Sequence, residues 1–81
     1  MPRKKIQEQK LPRMKGVKSS NVRSIGYDED FEELYVRFKS GGFYVYYGVD
    51  EDEYDMFINS GSKGKYLYHS IRDFYNYSKL N

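Results

Sequence analysis

Lys65, His69 and Arg72 recur at i, i+4 and i+7, with Tyr68 beside them. On a helix that spacing gathers the three onto one face. A cationic face carrying an aromatic ring can pair phosphates and stack a base, although an ordinary solvated helix face has the same composition. His69 is the only histidine and cysteine is absent, so no donor set for a metal is in view. Position 69 also falls opposite the stripe of Leu67 and Ile71, which makes it a solvated position. Ser62-Lys63-Gly64 has the flavour of a phosphate loop but lacks the upstream glycine of a Walker motif. A helix starting there would offer free N–H groups to a phosphate; a plain serine cap is the commoner use of such a sequence. The acidic stretches Asp28–Glu33 and 50–53 do not follow a calcium loop. A two-carboxylate mechanism needs a cleft of a few hundred Å3, which so small a domain rarely encloses. No catalytic residue, cofactor or metal is expected.

The 81 residues allow one domain, whose core has neither disulfides nor a thiolate metal site to support it. Ten tyrosines and five phenylalanines stand against no alanine and no tryptophan. That is more aromatic surface than a core this small requires, so some rings should stay half-exposed. The absence of cysteine fits a reducing compartment. No apolar run reaches the length of a membrane span, and the basic N-terminus lacks the apolar stretch of a secretory signal. A cytoplasmic location and no membrane partner are expected.

Charge divides the chain unevenly. Residues 1–18 hold seven basic side chains (among them Lys4, Lys5, Arg13, Lys15 and Lys18) against Glu8 alone, a net +6. The remainder carries seven basic and eleven acidic residues, a net −4. Residues 1–16 contain two prolines and a glycine, and Ile6, Leu11 and Met14 follow no period. They are read as a mobile basic arm ahead of a domain over 17–81. Its removal is expected to leave the melting temperature unchanged.

From Val17 the pattern becomes regular. Val22 to Tyr27 suits a strand. Leu34, Val36 and Phe38 alternate with polar or aromatic neighbours, the clearest period of two, and should point into the core. Phe43 to Tyr47 makes a third strand. Asp50 with Glu53 forms a capping box for a helix that places Tyr54, Phe57 and Ile58 on one face. Gly61 is expected as its left-handed cap. Ser62 opens a second helix with an apolar stripe of Leu67, Ile71, Phe74 and Tyr75, and the tail from Tyr77 is ambiguous. The class is α+β: a three-stranded antiparallel meander with two short helices packed on one face.

One register decides where two tyrosines lie. A two-residue Gly41-Gly42 loop would put Tyr44 and Tyr46 on an outer face with Tyr35, Arg37 and Lys39. A three-residue Ser40-Gly41-Gly42 loop with a glycine bulge would put them beside Phe38 in the core. The loop residues alone leave both registers open.

Three segments, Ser19 to Asp28, Gly42 to Val49 and Ser62 to Tyr66 running on to Ile71-Arg72 and Tyr75, together resemble the KTSC domain over roughly residues 17–80. This is the small module found at the C-terminus of some lysyl-tRNA synthetases and as free-standing bacterial or phage proteins. The resemblance implies a compact α+β unit without enzymatic activity. Tyrosines recur in the family at the positions of Tyr44 and Tyr46, which favours the three-residue loop and places them in the core with their hydroxyls at the edge, although Val45 between them departs from the family's polar residue. Two functions are open. The first is weak binding of RNA or single-stranded DNA through the arm (Lys4, Lys5, Arg13, Lys15, Lys18) and the helix face (Lys63, Lys65, Tyr68, Arg72). The second is a phage-type protein-interaction module that modulates a host enzyme through its acidic surface.

Overall fold

The computed structural model describes residues 11–81. Short runs of β-branched and aromatic residues give five antiparallel strands in the order of the sequence. They are β1 (Lys15–Gly16), β2 (Val22–Asp28), β3 (Glu33–Phe38), β4 (Phe43–Tyr47) and β5 (Tyr77–Lys79). Between β4 and β5 come α1 (Glu51–Ile58) and α2 (Lys63–Tyr66), the latter running directly into a π-turn over Leu67–Ile71. The α+β class is as expected, but the sheet has five strands instead of three. The two additional strands are two and three residues long. That is too short to display a period of two, and pairing with a longer neighbour is what holds them.

In the β3–β4 hairpin Leu34 stands opposite Tyr46 and Val36 opposite Tyr44. Phe38 N–H donates to Gly42 O at 2.8 Å and Gly41 N–H to Phe38 O at 2.9 Å. Gly41, at φ 110°, supplies the left-handed residue of a bulged three-residue loop. The loop is Lys39–Gly41, one residue earlier than the sequence pattern indicated, and the facing is the favoured one. Tyr46 is buried and Tyr44 half-buried, on the side of Leu34, Val36 and Phe38. Leu34 and Val36 are fully buried, whereas Phe38 is only half-covered at the turn end of the hairpin.

The main core joins Val22, Ile25, Leu34, Val36 and Tyr46 of the sheet to Val49, Phe57, Leu67 and Ile71. A bulge between Val22 and Ser24 lets Val22 and Ile25, three apart, face the same side. The opposite face carries Tyr35, Phe43 and Val45, against which Met14 packs. Of the arm expected over 1–16, residues 11–16 are described, and Met14 to Gly16 are seated on the sheet. Lys15 pairs with Ile25 and Gly16 with Ser24, and Met14 crosses the sheet at Gly26. A Cβ there would sit 2.6 Å from Met14 Sδ and 3.1 Å from the Arg13 carbonyl. The sheet has apolar residues on both faces, and this segment covers the one the helices leave open. Lys4 and Lys5 lie outside the described residues. Removing residues 1–16 is therefore expected to lower the melting temperature by about 4–8 °C. The basis is loss of roughly 1 kcal/mol from one half-buried methionine and a two-residue ladder in so short a chain. An unchanged thermal transition would mean that Met14 contributes nothing.

Asp50 caps α1, its Oδ1 accepting from Glu53 N–H at 2.9 Å, and Glu51, Asp52 and Glu53 occupy the positive end of the helix. Phe57 is buried and Tyr54 and Ile58 half-buried, on the one face expected. Gly61 is not the left-handed cap it was expected to be, because only Gly41 and Gly48 among the described glycines have positive φ. Side chains satisfy the helix carbonyls instead: Asn59 Nδ2 donates to Asp55 O and Ser60 Oγ to Phe57 O. The second helix departs from expectation at Phe74, which is 70% exposed. Arg72 N–H reaches back five residues to Leu67 O at 2.8 Å. That wider turn shifts the helical phase, and the chain leaves the helix after Ile71, so Phe74 swings out of the Leu67–Ile71 stripe. Tyr75 still packs on the core. Among the described residues no helix is long and apolar enough to cross a membrane.

Candidate functional site

The β4–β5 edge and the π-turn enclose an open cleft of about 740 Å3. The sheet contributes Phe38, Tyr44 and Tyr77; the helical side contributes Tyr68 and Arg72; Lys79 also lines it. Strand alternation brings Tyr77 and Lys79 to the same face of β5, opposite Tyr46 and Tyr44 respectively. The rings lock one another: Tyr44 is edge-on to Phe38 at 5.7 Å, and Tyr77 lies 5.8 Å from Tyr44 and 5.9 Å from Tyr46. Across the cleft the Arg72 guanidinium sits 4.3 Å over the Tyr68 ring, with its Nε 3.4 Å from Asp73 Oδ1. Burial, with the neighbouring Tyr44 and Tyr77 hydroxyls, pushes the Tyr46 phenol up to about 12, and Arg72 acts in the opposite sense.

A second, shallower cleft of about 300 Å3 lies alongside, lined by Ser20, Asn21, Ser62, Gly64, Lys65, Tyr68 and His69. Asn21, Gly64 and Tyr68 belong to both clefts. Local geometry fixes this wall. Ser19 Oγ accepts from the N–H groups of Asn21 and Val22 and donates to Asn21 Oδ1 at 3.3 Å, an ST-turn that presents the carboxamide. A Cβ at position 64 would collide with that carboxamide, so a larger residue there would have to displace the Asn21 side chain. Ser62 caps α2 by accepting from Lys65 N–H at 3.4 Å.

Of the residues the sequence singled out, Lys65, Tyr68 and Arg72 converge on the clefts. Lys63 turns away, its Nζ donating to Ser60 O at 3.2 Å. Arg13 and Lys15 are exposed at the opposite edge of the sheet, and Lys18 is exposed in the connection before β2. Asn21, Tyr77 and Lys79 were missed. A three-residue strand gives no local signal for the last two, and nothing in the sequence alone joins Asn21 to Gly64. Among the described residues no group of three or more His, Cys, Asp or Glu side chains is placed to hold a metal.

The other end of the molecule is acidic. Asp28 Oδ1 accepts from the N–H groups of Asp30 and Phe31, which accounts for one acidic turn as local capping. Tyr27 stacks on Tyr54 at 4.2 Å and donates to Val49 O at 2.6 Å. Its phenol is pushed up to about 12, first by burial and then by Glu32, Asp50, Glu51 and Glu29. The two acidic stretches thus meet around it. Tyr66 donates to Glu53 Oε2 at 2.6 Å, and that bond is the first cause of its own rise to about 12. Tyr35 is pushed up further by burial and its bond to Glu33. These phenols hold their protons in the folded chain at pH values where the unfolded chain has lost them. Their contribution to stability is complete below pH 10 and is lost as pH rises through about 12. The urea midpoint is accordingly expected to fall between pH 9.5 and 11.5, with part of the phenolate absorbance appearing only on unfolding; ten tyrosines titrating together near pH 10 would contradict it.

The family model of the KTSC domain matches residues 18–77. This chain belongs to the KTSC family. A crystal structure of a KTSC domain protein from Yersinia pestis is similar to it, with a TM-score of 0.82 and 33% identity. That similarity covers 85% of this chain and 97% of that one. No curated protein matches the sequence. The matched KTSC range holds every cleft residue named above except Lys79, and leaves Arg13 and Lys15 outside.

Proposed function

We propose that this KTSC domain is a non-catalytic module that binds single-stranded nucleic acid, weakly and without strict sequence requirement. The observation that carries the reading is the larger cleft, in which Tyr44 and Tyr77 face the Arg72–Tyr68 pair and Lys79 supplies a second cation. Bases stack on aromatic rings and on arginine planes, and cations follow the phosphates. The basic residues of the N-terminal segment add sequence-independent attraction. Binding of a fluorescent homopyrimidine strand is the direct test. With roughly four phosphates engaged, log affinity should fall against log salt with a slope near −3. Absence of binding at low salt would rule the reading out.

A second reading has its own support. At the acidic end, Phe31 within the Asp28–Glu33 stretch and Met56 on the helix that begins with Glu51-Asp52-Glu53 are 62% and 56% exposed, a composition suited to a basic, partly apolar protein surface such as that of a host enzyme. Purification of the untagged protein from its native cell separates the readings by whether nucleic acid or a polypeptide accompanies it.

A further inference from the structure

We propose that the two clefts are consecutive subsites for one dinucleotide step of a single strand, divided by the stacked Tyr68–Arg72 pair. This rests on the nucleic-acid reading above and makes it specific.

The clefts share Asn21, Gly64 and Tyr68 as a common wall, so they lie side by side as adjacent subsites would. Each side has its own cations: Arg72 and Lys79 in the larger cleft, Lys65 in the smaller. Each also has its own aromatic surface. Tyr44 and Tyr77 serve the larger; His69, whose ring meets Tyr68 edge-on at 5.2 Å, serves the smaller. A strand carries one phosphate and one base per step, and this repeat of cation and ring matches it. Tyr68 is 53% exposed and stands where two successive bases would be parted. Asn21, held by Ser19, offers a paired donor and acceptor at the junction, the complement of a base edge.

The test is a length series of oligothymidylates of one, two, four and eight nucleotides, titrated into the full chain at low salt. Affinity is expected to rise at least about tenfold from one nucleotide to two, the effect of a second stacked base, and only gradually thereafter. Amide shifts at Lys65 and His69 should appear with the dinucleotide but not with the mononucleotide, which perturbs Arg72 and Lys79. Tyr68→Leu, at an exposed position that leaves folding intact, should remove the step between one and two while keeping the salt slope. A smooth rise with length, or a step that survives Tyr68→Leu, overturns the two-subsite arrangement while leaving strand binding in place. Failure of even the longest strand to bind overturns both.

Discussion

Phe57→Ala is expected to leave this domain largely unfolded. Phe57 is among the largest fully buried side chains and joins α1 to the sheet and to Tyr66, whose ring lies 5.9 Å away. Truncating a buried phenylalanine costs about 3–5 kcal/mol, and a single core of this size without a disulfide or metal supplies roughly that much. The loss should also free Tyr66 from its bond to Glu53, since Phe57 and Glu53 hold the same helix against it. Phe38→Ala makes the useful contrast. It lies on the same face as Leu34 and Val36 but is only half-buried, so it should cost less and leave a folded protein with a shallower hairpin end. Far-UV circular dichroism with urea titration distinguishes the two variants. A Phe57→Ala protein as stable as the parent would mean that α1 does not close the core.

The long strands and both helix starts were legible because their signals are local. Leu34 and Val36 alternate over one strand, and Asp50 and Ser62 each cap within three residues. The glycine loop allowed two facings of Tyr44 and Tyr46, since one residue of register moves a whole strand face, and only the family resemblance favoured the one observed. What escaped depends on contacts distant in sequence. Lys15–Gly16 and Tyr77–Lys79 are strands only because β2 and β4 offer them partners. Met14 looked unpatterned because it packs alone, over a glycine twelve residues on. Phase was the other blind spot. A helix read at constant pitch carries Phe74 into the core, and one wide turn at Leu67–Arg72 carries it out. The site divided in the same way. Lys65, Tyr68 and Arg72 share one short segment and were found together, while Asn21, Tyr77 and Lys79 come from the two ends of the domain and are assembled only by the fold.

Replacing Lys65, Arg72 and Lys79 together by glutamine is expected to reduce affinity for single strands at low salt by a few hundredfold. Each phosphate contact contributes about 0.7 to the salt slope, so losing three should bring a slope near −3 to about −1. The loss should be uniform across sequences, because phosphate contacts carry no base information. All three residues are exposed, and such substitutions seldom change stability beyond about 0.5 kcal/mol, so an unaltered urea midpoint certifies that binding alone was lost. The matched control neutralises Arg13 and Lys15, at the opposite edge of the sheet. If the strand runs through the clefts, the control keeps nearly the full slope. If instead the control loses as much as the triple variant, the domain is acting as a diffuse cation, the clefts have no special standing, and the acidic end becomes the better place to look for a partner.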